Sequence, residues 1–405
     1  MVEKEIQIIH ANNSIHLNVP LTASKSECNR ALIIQALSNN PIELFNISDA
    51  RDSQTMLRLL KSEDLELNVL DAGTTMRFLT AYCATKRRKA ILTGTARMQE
   101  RPIKILVDAL RDIGAKIDYL KDEGFPPIQI HDFSQKKAEV EMAGNVSSQY
   151  ISAMLMIAPT LPMGLQLQLS GEIYSKPYIQ MTLNLMQHFG IQYTWKENII
   201  EIAKQEYRKN TYTIESDWSG ASYWYSIAAL SEKANIKLLG LRENSFQGDK
   251  AIVEIMDRLG VASHFDDDGV VLIKKEAEPS FDYDFSKCPD LAQTIAAICA
   301  AKGVKARLSG LESLRIKETD RIAALQNELE KIGTNVEVEG NHAIIIRGKA
   351  EVNQAIFDTY EDHRMAMAFA PLSLLGPIKI KDPDVVNKSY PDYWLHLKQA
   401  GFEIK

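Results

Sequence analysis

One junction recurs along this chain and limits what it can become. "LRDIGAKIDYL" at 110, "LMQHFGIQYTW" at 185, "IMDRLGVASHF" at 255, "ELEKIGTNVEV" at 328 and "LKQAGFEIK" at 397 each read as the end of an amphipathic helix, a glycine, then an alternating strand. The glycines Gly114, Gly190, Gly260, Gly333 and Gly401 follow one another at about 70 residues. Glycine after a helix accepts the left-handed conformation that ends it, and an even period marks a repeated unit. "LLKSEDLELNVL" near 59–70 reads as a degenerate sixth copy without the glycine. Within each period the pattern is strand, helix, strand, helix, strands. The expectation is therefore α/β: six βαβαββ units, grouped three and three into two lobes.

Composition excludes several alternatives. A net charge of −6 over 405 residues argues against general binding of nucleic acid, so any anion site must be a local concentration of cations. The four cysteines, Cys28, Cys83, Cys288 and Cys299, form no CxxC pair, and the eight histidines are dispersed. No signal-peptide pattern opens the chain and no apolar run is long enough to span a bilayer. No Walker loop, GxGxxG or HExxH is present. A cytoplasmic protein with no metal and no cofactor is expected.

The informative motifs lie where helices begin. "RIKETDR" at 315–321 holds five charged residues in seven and precedes the apolar period of Ile322, Leu325, Leu329 and Ile332. A helix start offers free N–H groups and a positive dipole end, so Lys317 and Arg321 have the wrong sign for that place unless an anion arrives. Other helix starts repeat the theme. "SKSECNR" carries Lys25, Ser26 and Arg30, and "AGTTMR" carries Arg77. "RMQERP" places Arg101 before Pro102, read as a first helical residue, and "VSSQ" offers Ser147, Ser148 and Gln149 as caps and donors. "SKPY" holds Ser175 and Tyr178, "CPDLAQT" holds Asp290 as a candidate N-cap, and "DHRMAM" holds Arg364. A cleft ringed by such starts suits small, multiply anionic molecules. Asp320 and Asp362 are read as orienting neighbouring arginines, Glu318 and Asp290 as acid/base groups, and no structural partner is legible for Arg101, Arg321 or Arg364.

These motifs, with "KSYPDYW" near the C-terminus, occur in the order found in EPSP synthases, and the resemblance covers about residues 20–400. It implies a two-lobed inside-out α/β barrel, three βαβαββ repeats to a lobe, with one lobe inserted in the other: residues 1–21 with 215–405, and residues 22–214. It implies transfer of the enolpyruvyl group of phosphoenolpyruvate to the 5-hydroxyl of shikimate 3-phosphate, by a monomer that closes on the first substrate to prepare the site for the second. Carried over by motif, Lys25, Ser26, Arg30, Ser147, Ser148, Gln149, Ser175, Tyr178, Asp290 and Lys317 hold shikimate 3-phosphate. Lys25, Gly73, Arg101, Gln149, Arg321, Arg364 and Lys388 surround phosphoenolpyruvate. Asp290, Glu318, Lys25 and Lys388 are the candidates for proton transfer, unranked. The family's pattern is not kept at Asp71 (usually Asn), Thr75 (Ala), Phe78 (Pro) and Ser313 (Asn). The rival readings are the sister transferase acting on a UDP-sugar, which uses a reactive loop cysteine, and a binding protein without turnover.

Overall fold

The computed structural model describes residues 4–10 and 14–405. They divide into two compact units: the described residues up to Ser24 together with Glu215–Lys405, and Lys25–Ile214.

In the unit Lys25–Ile214 the repeat is plainest in the sheet ordered Glu66–Asn68, Ala90–Thr93, Ile128–Phe133, Ala115–Tyr119. The first two strands are parallel, bridged by helix Gly73–Thr85, and the last two form an antiparallel hairpin. A second sheet is built the same way from Glu139–Ala143, Leu165–Ser170, Ile199–Ile202 and Thr194–Lys196. The third copy has only Ile42–Phe45 beside Asn210–Thr213, in parallel. Its second helix, Arg51–Lys61, runs without a glycine into Glu66–Asn68, which belongs to the next sheet. The degenerate copy has thus lost its hairpin along with the glycine that starts one. The other unit carries three four-stranded sheets, and the N-terminal strand Glu5–His10 fills the third place in one of them.

In each complete repeat one helix is buried on every side and the other is amphipathic. Gly73–Thr85 buries eleven of its thirteen residues, Ser148–Ile157 nine of ten, and Ala292–Lys302 ten of eleven. A helix apolar all round belongs in a core, and these pack on one another inside their unit: Gly73–Thr85 on Ser148–Ile157, and that helix on Lys176–His188. The strands alternate buried and exposed residues, as in Ala115–Tyr119, because one sheet face covers the helices and the other meets water. Within the unit Lys25–Ile214 the first turns of Gly73–Thr85 and Ser148–Ile157 meet, Gln149 reaching Thr74. No helix of the described residues is long and apolar enough to cross a membrane.

The glycines of the repeat all take positive φ, but their surroundings differ. At Gly333 (φ +79°) an added Cβ meets nothing within 4 Å, whereas at Gly114 (φ +117°) it comes 1.9 Å from the Ser134 carbonyl oxygen. Gly333→Ala should cost roughly 1–2 kcal/mol of stability through its backbone alone. Gly114→Ala should cost roughly 2–4 kcal/mol, since the Ser134 carbonyl must also move. Urea unfolding of the two variants checks this, and equal losses would remove the steric part of the argument.

Candidate active site

In the unit holding the C-terminus, "RIKETDR" does not leave a bare helix start. Helix Arg321–Glu330 is capped by Asp320, whose Oδ1 accepts from the Ile322 and Ala323 amides at 3.1 Å each. Asp320 also holds Arg315 at 2.8 Å. Arg321 does not wait for an anion either. Its Nε donates to Asp362 at 2.6 Å, Nη1 to Asp290 at 3.0 Å and Nη2 to Glu318 at 2.9 Å, and the residue is 1% exposed. The orienting role read for Asp362 is thus present, and Asp362 also caps helix His363–Phe369 through the Arg364 amide.

Asp290 was expected to cap a helix; it does not. It lies in the short turn Pro289–Leu291, which ends in helix Ala292–Lys302, and its carboxylate is spent on side chains. Arg364 donates to it at 3.0 Å, Arg321 at 3.0 Å, and the Lys317 ammonium stands 3.5 Å away. Burial opposes the charge on Asp290, but Arg364, Lys317 and Arg321 outweigh it and hold the carboxyl well below the usual range. Burial likewise opposes the charge on Arg321, and Asp362, Glu318 and Asp290 more than restore it. Lys388, 1% exposed, approaches Glu318 at 3.6 Å. Arg364 reaches Ser219 and Tyr223 as well, and the Ser219 hydroxyl donates to buried Asp249. Four cations and three carboxylates thus interlock, so Arg321 and Arg364, for which the sequence shows no structural partner, have several.

The unit Lys25–Ile214 holds a second, differently balanced cluster. Lys25 opens helix Lys25–Leu37 and stands 3.3 Å from buried Asp52. One turn on, Arg30 is 2% exposed and donates to Thr182 (2.7 Å), the Ser26 carbonyl (2.8 Å), Ser152 (3.3 Å) and the Tyr178 carbonyl (3.5 Å), with Phe78 5.4 Å below its guanidinium. Burial pushes Arg30 down to about 10. Its hydrogen-bond partners are neutral dipoles, and the buried Glu27 carboxylate offsets only part of the cost of burying its charge.

Helix Gly73–Thr85 starts beside two more guanidinium groups. A Cβ on Gly73 would lie 2.9 Å from both terminal nitrogens of Arg101 and 3.0 Å from Arg77. Only glycine lets Arg101 approach that backbone. Arg101 and Pro102 lie in the connection between helices Ala96–Gln99 and Lys104–Asp112, so Pro102 is not the first helical residue that the sequence suggested. Gln149 reaches Thr74 at 3.4 Å, Ser147 caps helix Ser148–Ile157, and Ser148 is buried in its first turn. Ser175 precedes helix Lys176–His188 in a left-handed conformation. The structure therefore joins Ser26, Arg30 and Tyr178 through one guanidinium, and Gly73 with Arg101, while Ser147 and Ser175 stand at separate helix starts.

Some participants were not legible in the sequence. Asp52, Ser152, Thr182, Ser219 and Tyr223 each contact an assigned residue, and Asp249 contacts Ser219, yet they sit in ordinary helical or capping contexts. The cysteines offer no nucleophile. All four are buried, and burial raises their thiols, Cys28 to about 11, Cys83 to about 12 and Cys299 to about 12. Among the described residues no group of His, Cys, Asp or Glu is placed to hold a metal ion.

Comparison with known proteins agrees with the motifs. The family model described as EPSP synthase (3-phosphoshikimate 1-carboxyvinyltransferase) matches residues 60–397. A 3-phosphoshikimate 1-carboxyvinyltransferase of Bacteroides fragilis is 49% identical over 403 residues, 98% of each chain, and one of Vibrio atlanticus is 37% identical, covering 95% of this chain and 96% of its own. Among solved structures, EPSP synthase from Acinetobacter baumannii superposes with a TM-score of 0.80 at 19% identity, covering 99% of each chain. The enolpyruvyl transferase NikO from Streptomyces tendae superposes with a TM-score of 0.77 at 13% identity, over 100% of this chain and 99% of its own. The last two show a shared fold; with the family match and the close relatives, the chain belongs to the EPSP synthase family.

Proposed function

We propose that the chain performs its family's reaction with the residues of these two clusters. It transfers the enolpyruvyl group of phosphoenolpyruvate to the 5-hydroxyl of shikimate 3-phosphate and releases phosphate. The observation that carries this reading is the interlocked set Lys317, Arg321, Arg364 and Lys388 with Asp290, Glu318 and Asp362. It gathers cations in excess and keeps one carboxylate ionised among them. Lys25, Ser26, Arg30, Ser147, Ser148, Gln149, Ser175, Tyr178, Asp290 and Lys317 take shikimate 3-phosphate. Lys25, Gly73, Arg101, Gln149, Arg321, Arg364 and Lys388 take phosphoenolpyruvate. The enzyme acts as a monomer in the cytoplasm, so light scattering should return a mass near 45.5 kDa.

The chemistry suits these residue types. Protonating the phosphoenolpyruvate methylene places positive charge on C2, and the 5-hydroxyl attacks there while losing its proton. The adduct then gives up a methyl proton as its C2–O bond to phosphate breaks, restoring the double bond. Asp290 is assigned as the acceptor because its carboxylate lies directly among Lys317, Arg321 and Arg364, the cations assigned to the two substrates. The donor comes from Glu318, Lys25 and Lys388. Fixed cations offset the mutual repulsion of two anionic substrates without reorganising during the reaction.

A coupled phosphate-release assay tests the reading. Release is expected with shikimate 3-phosphate and phosphoenolpyruvate. Release only with a UDP-sugar acceptor would favour the sister transferase, and binding without release would favour the non-catalytic reading. Arg101→Ala should raise the KM for phosphoenolpyruvate about 10- to 100-fold, the loss of a charge-assisted contact worth roughly 1.5–3 kcal/mol. An unchanged KM would remove Arg101 from the phosphoenolpyruvate set.

A further inference from the structure

Asp71 stands two residues before Gly73, so their Cα atoms lie within roughly 8 Å of one another, two virtual bonds of the chain. The Asp71 charge would repel a phosphate or carboxylate held at the start of helix Gly73–Thr85. The structure shows how the repulsion is met. Arg51, at the start of helix Arg51–Lys61, donates to both Asp71 oxygens through one terminal nitrogen, at 2.8 and 3.0 Å. Arg51 lies 20 positions away in sequence, on the helix of the repeat that has lost its hairpin. The pair is partly accessible, the side chains being 44% and 26% exposed, so it contributes little to stability. Its consequence is local: the charge beside Gly73 and Arg101 is close to zero with both members present.

We propose that Arg51 is a charge-compensating, positioning residue for phosphoenolpyruvate, cancelling Asp71 so that the anion sees Arg101 and the helix start undiminished. The inference rests on the assignment of Gly73 and Arg101 to phosphoenolpyruvate. It makes the two members of one ion pair act with opposite signs. Removing Arg51 unmasks a repelling carboxylate; removing the Asp71 charge unmasks an attracting guanidinium; removing both restores neutrality.

Steady-state kinetics on Arg51→Gln, Asp71→Asn, the double variant and Arg101→Ala test this. Arg51→Gln should raise the phosphoenolpyruvate KM about three- to tenfold, as expected for one charge at that distance in a partly screened site. The kcat and the shikimate 3-phosphate KM should stay within about twofold, and the deficit should shrink as ionic strength rises. Asp71→Asn should leave the phosphoenolpyruvate KM unchanged or lower it, and the double variant should return to within about twofold of the parent. If both single variants raise that KM and the double variant is no better, the pair merely holds the turn and the inference falls. If Arg101→Ala raises the KM while Arg51→Gln does not, the inference fails and the site assignment survives. If neither moves it, both fail.

Discussion

Replacing Arg321 by alanine is expected to cost the enzyme stability as well as turnover. Three carboxylates converge on this guanidinium: Asp362 and Glu318 from its own surroundings in the fold, and Asp290 from the turn Pro289–Leu291. Asp362 is fully buried, and Arg321 itself is almost so. Removing one member of a buried ion pair leaves charge with neither solvent nor partner, and such losses run to roughly 3–5 kcal/mol. Arg321→Ala should therefore shift the urea midpoint downward by an amount of that order, and phosphate release should be lost with it. Arg321→Lys keeps the charge but cannot serve three acceptors from a planar fork, so it should recover only part of the stability. An unchanged midpoint in Arg321→Ala would return Arg321 to the role the sequence suggested, a cation reserved for ligand.

The contrast between those roles shows what could be read from the sequence. The repeat was legible because its signal is local: an amphipathic helix, a glycine and an alternating strand within about a dozen residues, at each of Gly114, Gly190, Gly260, Gly333 and Gly401. The concentration of cations at helix starts was legible for the same reason. Most partners were not, because apart from Glu318 they come from distant parts of the chain. Asp362 lies 41 positions from Arg321, Asp290 lies 74 from Arg364, and Thr182 lies 152 from Arg30. Within "KETDR" only Glu318 is a local partner for the arginine and nothing there shows Asp290 or Asp362, just as nothing within "DAGTTMR" shows that Arg51 faces Asp71.

Departures from the family pattern become intelligible on the same terms. Thr75 turns its hydroxyl to the Asp52 carbonyl at 3.2 Å, and Phe78 lies under the Arg30 guanidinium. Both face inward, among buried neighbours, where a larger or polar side chain must find a partner. Ser313 lies in the short helical turn Glu312–Ile316, and nothing in the structure explains its replacing the usual residue.

The largest effect on catalysis should come from Asp290→Asn. Asparagine keeps the size of the side chain and can still accept from one cation, but it cannot take up a proton. If Asp290 receives the 5-hydroxyl proton, kcat should fall by about 10²- to 10⁴-fold, the usual contribution of a positioned base. The shikimate 3-phosphate KM should rise far less. The pH dependence provides an independent readout. The folded-state carboxyl is held below its unfolded value, so the stability it contributes is present above the ordinary carboxylate pKa and is lost as pH falls through the depressed one. The parent enzyme should therefore lose stability progressively in acid below about pH 4, and Asp290→Asn should lose less over the same range. At pH 5 to 7 Asp290 stays ionised, so no fall in kcat across that window belongs to its protonation. A variant that retained most of kcat while its shikimate 3-phosphate KM rose strongly would make Asp290 an anchor for that substrate. The search for the base would then pass to Glu318, which lies 2.9 Å from Arg321 and 3.6 Å from Lys388.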